Sequence, residues 1–193
     1  MTPLLSVENL ALVRGERALA AGLRFSAAPG DVIEITGANG AGKTSLLRAL
    51  AGFLRPAEGA VAPADRAERL HYLGHRDGLK PSLSVAAHAR FWADLYGGDR
   101  AAVADALSRV GLAAFADLPA RVLSQGQARR LALTRLITAQ RPIWLLDEPA
   151  AALDAAGKAL VRDLIAAHCA EGGVAIAAVH ERLGLPGARN LAL

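Results

Sequence analysis

Cysteine is almost absent from this 193-residue chain: Cys169 stands alone. One thiol cannot build a disulfide framework, so the chain is not a stapled secreted scaffold and fits a reducing compartment. Its expected role is packing, on the helix that follows Asp154. Aromatics are scarce, at 4% of residues, and the arginines are scattered rather than gathered into one stripe. A net charge of +4 therefore argues little for nucleic acid, because a basic protein can equally face anionic lipid or nucleotide. No nucleic-acid partner is expected. Long apolar runs are missing too. Of all residues 53% are apolar, many of them alanine, and charge, Gly or Pro interrupts every stretch short of a spanning length. Residues 1–14 are not expected to act as a secretory leader, since Glu8 interrupts their apolar stretch and no basic start precedes it. Repeats, low-complexity tracts and linkers are also lacking. The length suits one domain with a good-sized core, or one core with a small inserted lobe.

What is present begins with Gly37-Ala38-Asn39-Gly40-Ala41-Gly42-Lys43-Thr44, which fits G-x-x-x-x-G-K-[ST] at every fixed position. The β-rich Val32-Ile33-Glu34-Ile35-Thr36 precedes it, and a helix-forming run from Ser45 to Ala51 follows. Glycines let the backbone curl so that successive N–H groups point at phosphate oxygens, and the helix N-terminus adds positive charge there. Lys43 is placed to reach the β and γ phosphates, and Thr44 to offer a hydroxyl to Mg²⁺. Without that strand and helix, the same letters would describe a Gly-rich turn that binds nothing.

A second signal is Ile143-Trp144-Leu145-Leu146-Asp147-Glu148. Four apolar residues in a row suit a strand buried on both faces, as in a parallel sheet. Asp147 at its C-terminal end would hold Mg²⁺, and Glu148 would polarise an attacking water as general base. A strand followed by a helix-capping pair is the plainer alternative. The phosphate loop upstream favours the catalytic one.

Around these signals, residues 4–12 and 23–27 suggest short strands of an antiparallel edge sheet, and residues 52–63 are turn-rich. Residues 70–73 suggest another strand. Helices are expected from a Ser84 cap to Tyr96, over 100–110, from near Gly126, and after Asp154 to about Ala170. Residues 174–179 return as a strand that ends at His180.

Between the two signals lies Leu123-Ser124-Gln125-Gly126-Gln127, alone an ordinary polar turn before a helix. The three together, in this order, resemble the ATP-binding subunit of an ABC transporter over nearly the whole chain. The resemblance implies an α/β fold: a P-loop NTPase core of ABC ATPase type with an antiparallel β edge sheet and an inserted helical lobe. The core would span about 1–75 and 140–193, the lobe about 76–139, in one ABC ATPase domain. It implies ATP and Mg²⁺ as cofactors, with residues 37–44 (Gly37, Ala38, Asn39, Gly40, Ala41, Gly42, Lys43, Thr44) and Ser45 around the phosphates, and ATP hydrolysis as the activity. Two copies would pack head to tail, each presenting Ser124, Gly126 and Gln127 to the ATP held by the other. Arg129 and Arg130 would sit on the first turn of the following helix. Ala152-Leu153-Asp154 matches the D-loop that crosses this interface. His180 matches a histidine that contacts the γ-phosphate, completing a catalytic set with Lys43 and Glu148. A lone histidine is more often a packing residue, but the C-terminal end of a parallel strand is where ligands collect.

Two positions depart from the family. His75 stands where a glutamine usually touches Mg²⁺, and a neutral imidazole can accept from metal-bound water. Arg14 stands where a tyrosine often stacks on adenine, and its guanidinium plane offers a substitute. Tyr72-Leu73-Gly74-His75, Gly78-Leu79-Lys80-Pro81, Phe91-Trp92, Arg14-Gly15 and Trp144 are similar to the ATPase of the haem exporter used in cytochrome c maturation. The C-terminus soon after the His180 strand agrees. That resemblance implies integral membrane subunits as partners and a peripheral place on the cytoplasmic face of a bacterial inner membrane. Phe91, Trp92, Leu95 and Tyr96 would then be either an aromatic ridge for a membrane partner or the small core of the lobe. Other readings are an exporter of lipid, drug or peptide, or a soluble ABC-type ATPase acting on nucleic acid or ribosomes. The last usually carries coiled-coil insertions or two cassettes, and neither is visible.

Overall fold

The structure is a computed structural model that describes residues 2–15 and 17–193; Met1 and Glu16 lie outside them. Two compact units emerge. Unit 1 comprises Met1–Gly74, Pro142–Pro149 and Arg162–Leu193, and unit 2 comprises His75–Arg141 and Ala150–Val161. Residues 150–161, expected within the core, thus group with the lobe.

In unit 1 the first strand, β1 (Leu5–Arg14), inserts Leu5, Val7, Leu10 and Leu12 into the interior. It pairs antiparallel with β2 (Arg17–Ala27) on one side and β4 (Glu58–Ala62) on the other. Two features differ from expectation. The second strand starts at Arg17 rather than at 23, and the turn-rich segment 52–63 hides β4. The sequence of β4 carries no strong β-formers except Val61; it exists because β1 supplies an edge. Gly59 is required there, since a Cβ at that position would collide with the backbone of Glu8 and Asn9, where the β1 ladder shifts register.

The second sheet is parallel, in the order β5 (Leu70–Leu73), β6 (Ile143–Asp147), β7 (Val174–Ala178), β3 (Val32–Thr36), β8 (Arg189–Ala192). Every residue of β6 and β7 is buried, which is why those runs read as continuous apolar sequence. Helix α1 (Lys43–Leu50) presses Leu46, Leu47 and Leu50 onto Ile33, Ile35, Leu145 and Ile176. Each such leucine contributes roughly 2 kcal/mol from burial, and together they fix where the loop before α1 lies. The last strand, β8, had no sequence signal: its exposed Arg-Asn start reads as loop, and β3 recruits it.

Unit 2 is helical. Ser84 caps α2 (Val85–Tyr96) by accepting from the Ala87 N–H at 3.2 Å. Alanines 86, 89 and 93 are buried, small enough to let α3 (Val103–Arg109) and α4 (Gln125–Thr138) approach closely. The helix expected from 100 begins later, because the Asp99 carboxylate takes the Ala101 N–H at 2.7 Å and holds a turn there. The aromatic cluster of α2 divides. Trp92 stacks on Tyr96 with centroids 5.9 Å apart, and the Arg135 guanidinium covers the Trp92 ring at 3.9 Å. Phe91 and Leu95 stand outside, 49% and 55% exposed. The last helix, α5 (Ala155–Ala170), begins in unit 2 and its residues from Arg162 onward belong to unit 1. Cys169 on α5 is buried, and its thiol is pushed up to about 11 by that burial. Among the described residues, no helix is long and apolar enough to cross a membrane.

Candidate active site

Unit 1 gathers most of the expected residues at the C-terminal end of its parallel strands. The loop between β3 and α1 turns into the helix through Gly42, the α1 N-cap, at φ 110°. A side chain there would be strained, and its Cβ would stand 3.1 Å from that of Leu19. Within the loop the Ala41 N–H donates to the Ala38 carbonyl at 3.1 Å. The Lys43 ammonium, 7% exposed, donates to the carbonyls of Gly37 (2.7 Å) and Ala38 (3.2 Å), which arches it along the loop. A cavity of about 330 Å³ opens over Asn39, Gly40, Gly42, Lys43, Thr44 and Ser45, with Glu148 at its edge. Arg14, Arg17 and Leu19 of the β1–β2 hairpin form its other wall. Arg14 therefore does face this cavity, with Arg17 paired across the hairpin from it. Arg17 and Leu19 went unnoticed in the sequence because Gly22 suggests a turn and so shortens the strand.

The Thr44 hydroxyl reaches both Asp147 oxygens, at 3.1 and 3.0 Å, and Asp147 is 2% exposed. A hydroxyl and a carboxylate converging beside a phosphate loop are the hard oxygen donors that Mg²⁺ takes, so the residues fit that ion. Among the described residues, no group of three or more His, Cys, Asp or Glu forms a complete metal cage. Nearby, the Tyr72 phenol on β5 is raised by burial and then by the Asp147 charge, with Arg48 opposing, so it stays protonated.

Glu148 follows β6 at φ 50°, a left-handed conformation that costs a non-glycine residue about 1–2 kcal/mol. Its N–H donates to the Ala178 carbonyl at 2.9 Å, tying it to the end of β7. Its Oε1 lies 2.8 Å from His180 Nε2. A carboxylate only accepts, so Nε2 carries the proton in this pair. Strain of this kind persists where surrounding structure holds a side chain to a task.

Unit 2 holds the other expected residues. His75 is exposed at its first position. Ser124 is the N-cap of α4 in a full capping box: its oxygen accepts from the Gln127 N–H at 3.2 Å, and its own N–H donates to Gln127 Oε1 at 2.9 Å. The Ser124 proton remains available to a ligand, since a hydroxyl accepts and donates at once. Gly126 passes so near the loop before α5 that a Cβ would sit 3.0 Å from the Ala152 carbonyl. Arg129 and Arg130 prove to be on the second turn, not the first, and both are occupied. Arg129 is buried and pairs with Asp77 at 2.9 Å, while Arg130 pairs with Asp154 at 2.5 Å.

A family profile described as ABC transporter matches residues 20–151. Among curated relatives, the cytochrome c biogenesis ATP-binding export protein of Bradyrhizobium diazoefficiens is 50% identical, with 94% of each chain covered. The protein of the same name in Paramagnetospirillum magneticum is 48% identical over 97% of this chain and 93% of its own. Among solved structures, an ABC transporter ATP-binding protein from Pyrococcus furiosus is 25% identical with a TM-score of 0.87, covering 98% of this chain and 96% of that one. The fold recurs in an ATP-binding cassette whose dimer was solved with ADP and Pi, at 21% identity and a TM-score of 0.78, over 92% of this chain and 88% of that one. With the phosphate loop, the Thr44–Asp147 pair and the Glu148–His180 pair in one unit, and relatives half identical over nearly its whole length, the chain belongs to the ABC transporter family of ATP-hydrolysing proteins.

Proposed function

We propose that this chain is the ATP-hydrolysing subunit of an exporter serving cytochrome c biogenesis, with haem as the cargo of its membrane partner. The observation that carries the chemistry is the Glu148–His180 pair beside the phosphate loop, 2.8 Å between Oε1 and Nε2. The cargo class rests on the relatives, which are named for cytochrome c biogenesis and export.

In this reading Lys43 and the loop N–H groups bind the β and γ phosphates of ATP, and Thr44 with Asp147 would hold Mg²⁺. Bound there, the ion would offset the negative charge of the phosphate oxygens. The Glu148 carboxylate accepts a hydrogen bond from the attacking water and takes its proton, and His180 fixes the Glu148 rotamer. Two copies close head to tail, so that Ser124, the N–H groups near Gly126 and Gln127 of one copy meet the γ phosphate in the other. Arg14 would stack on the base, and His75 would take the role toward the ion that a glutamine usually has in the family. Closure moves attached membrane subunits on the cytoplasmic face of the inner membrane, where the chain is peripheral. Positioning and electrostatics carry most of the rate.

The test is a deletion strain stained for covalently bound haem. Loss of the c-type cytochromes, restored by the wild-type chain and not by Glu148→Gln, is the expected outcome. Normal c-type cytochromes in the deletion strain would move the cargo to lipid, drug or peptide.

A further inference from the structure

A carboxylate in the middle of an apolar strand is costly unless something demands it. Glu34 is such a group. It lies on β3 between Ile33 and Ile35, flanked by Ala177 of β7 and Asn190 of β8, and is 2% exposed. The chain leaves β7, crosses over β3 and returns as β8 on the far side, through residues 179–188 that form no helix or strand. This crossing segment carries His180. Its first residue is fixed by the Val179 N–H, which donates to the Ile35 carbonyl at 3.0 Å. Four residues on, the buried Leu183 N–H donates to Glu34 Oε1 at 2.8 Å, and Arg182 Nε approaches Oε2 at 3.8 Å. His180 thus sits between two anchors on adjacent residues of one strand. That strand, three residues later, becomes the phosphate loop.

We propose that Glu34 is a positioning residue for His180: by accepting the Leu183 N–H it holds the crossing segment so that the imidazole meets Glu148. A charged acceptor makes a stronger bond to a backbone N–H than a neutral one, and a bond in the interior is not weakened by competing water. The β3 strand is therefore shared scaffolding, setting the phosphate loop with its C-terminal end and the histidine with its centre. This rests on the reading of His180 given above, and adds the means by which it is placed.

The test is a double-mutant cycle on the full chain, with ATPase rates measured against ATP concentration. Glu34→Leu should lower kcat by about tenfold to a hundredfold while KM stays within about twofold, because a displaced catalytic group affects the reacting geometry more than binding. Glu34→Gln should keep kcat within about threefold, since its amide oxygen accepts the same N–H. In a His180→Ala background, Glu34→Leu should cost less than about twofold further. Equal losses in both backgrounds, with His180→Ala itself impaired, would overturn the role of Glu34 alone. A His180→Ala chain with wild-type kcat would overturn the reading of His180 and the proposal with it. A measurement on the unmodified chain guards against a Leu variant that fails to fold. By NMR the Leu183 amide should exchange at least about tenfold more slowly than the exposed Gly184 amide, as a buried bonded N–H does. Equal exchange at the two positions would remove the anchor on which the proposal stands.

Discussion

At the scale of single residues, the site depends on side chains held against their own preferences. Glu148 keeps a left-handed backbone, its carboxylate is met by the His180 N–H, and its own backbone N–H donates to the Ala178 carbonyl of β7. Removing the charge while keeping the shape separates holding from chemistry. Glu148→Gln should bind ATP within about threefold of wild type, since no phosphate contact is lost, yet lose kcat by about a hundredfold or more, the usual range for a general base. Phosphate release together with nucleotide binding checks both, and undiminished release would remove Glu148 from the mechanism. Asp147 and Glu148 were legible in the sequence because four apolar residues stop abruptly at two acids. Glu34 was not, because nothing local says that a segment 149 positions later crosses above it. The pairing of Arg129 was not legible for a similar reason: its partner Asp77 comes from a loop 52 residues away.

At the scale of elements, strands buried on both faces and helices with caps were readable. β6 and β7 carry unbroken apolar runs up to Asp147 and through Ala178, β3 is rich in Val and Ile although Glu34 interrupts it, and Ser84 and Ser124 begin α2 and α4 as their residue types suggest. β4 and β8 were not, since each is short, polar or Gly-containing and forms only when a neighbour offers an edge. The packing of α5 on β6 has a consequence for pH. The His168 ring of α5 stacks on Trp144 of β6, centroids 3.9 Å apart and nearly coplanar at 3°. Burial lowers its pKa, with the Val174 and Pro142 carbonyls and the Glu171 charge opposing. The charged form is therefore disfavoured in the folded chain. As pH falls through the unfolded value of about 6.5, the unfolded chain takes up the proton first and stability drops. The loss continues until pH passes the lower folded value and then stops. His168→Phe keeps the stack but cannot titrate, so urea unfolding between about pH 7.5 and pH 5.5 should lose less stability in the variant than in wild type. Equal losses would assign the acid sensitivity to other groups.

At the scale of the whole molecule, the chain passes between its two units next to the candidate site residues. His75 opens unit 2, the eight residues Pro142–Pro149 that return to unit 1 end in Asp147, Glu148 and Pro149, and the loop with Ala152 and Asp154 follows at once in unit 2. This interleaving explains why order along the chain was so informative: phosphate loop, then Ser124, then the two acids. It also sets the hardest test of the head-to-tail dimer. Ser124 has two tasks in that reading, capping α4 and donating to a phosphate in the second copy, and a substitution must separate them. Ser124→Arg removes the cap and adds bulk, and loss of the cap alone costs about 1 kcal/mol. Ser124→Asp keeps the cap, because aspartate is among the best residues at that position, but turns a donor into an anion facing the γ phosphate. Both variants should bind ATP as monomers within about threefold of wild type, because the phosphate loop is untouched. In a Glu148→Gln background, where bound ATP persists, sedimentation with ATP should give a dimer for the parent and a monomer for either Ser124 variant. If the aspartate variant still dimerises, an anion is tolerated where the γ phosphate should lie. The segment around Ser124 would then be only the start of a helix.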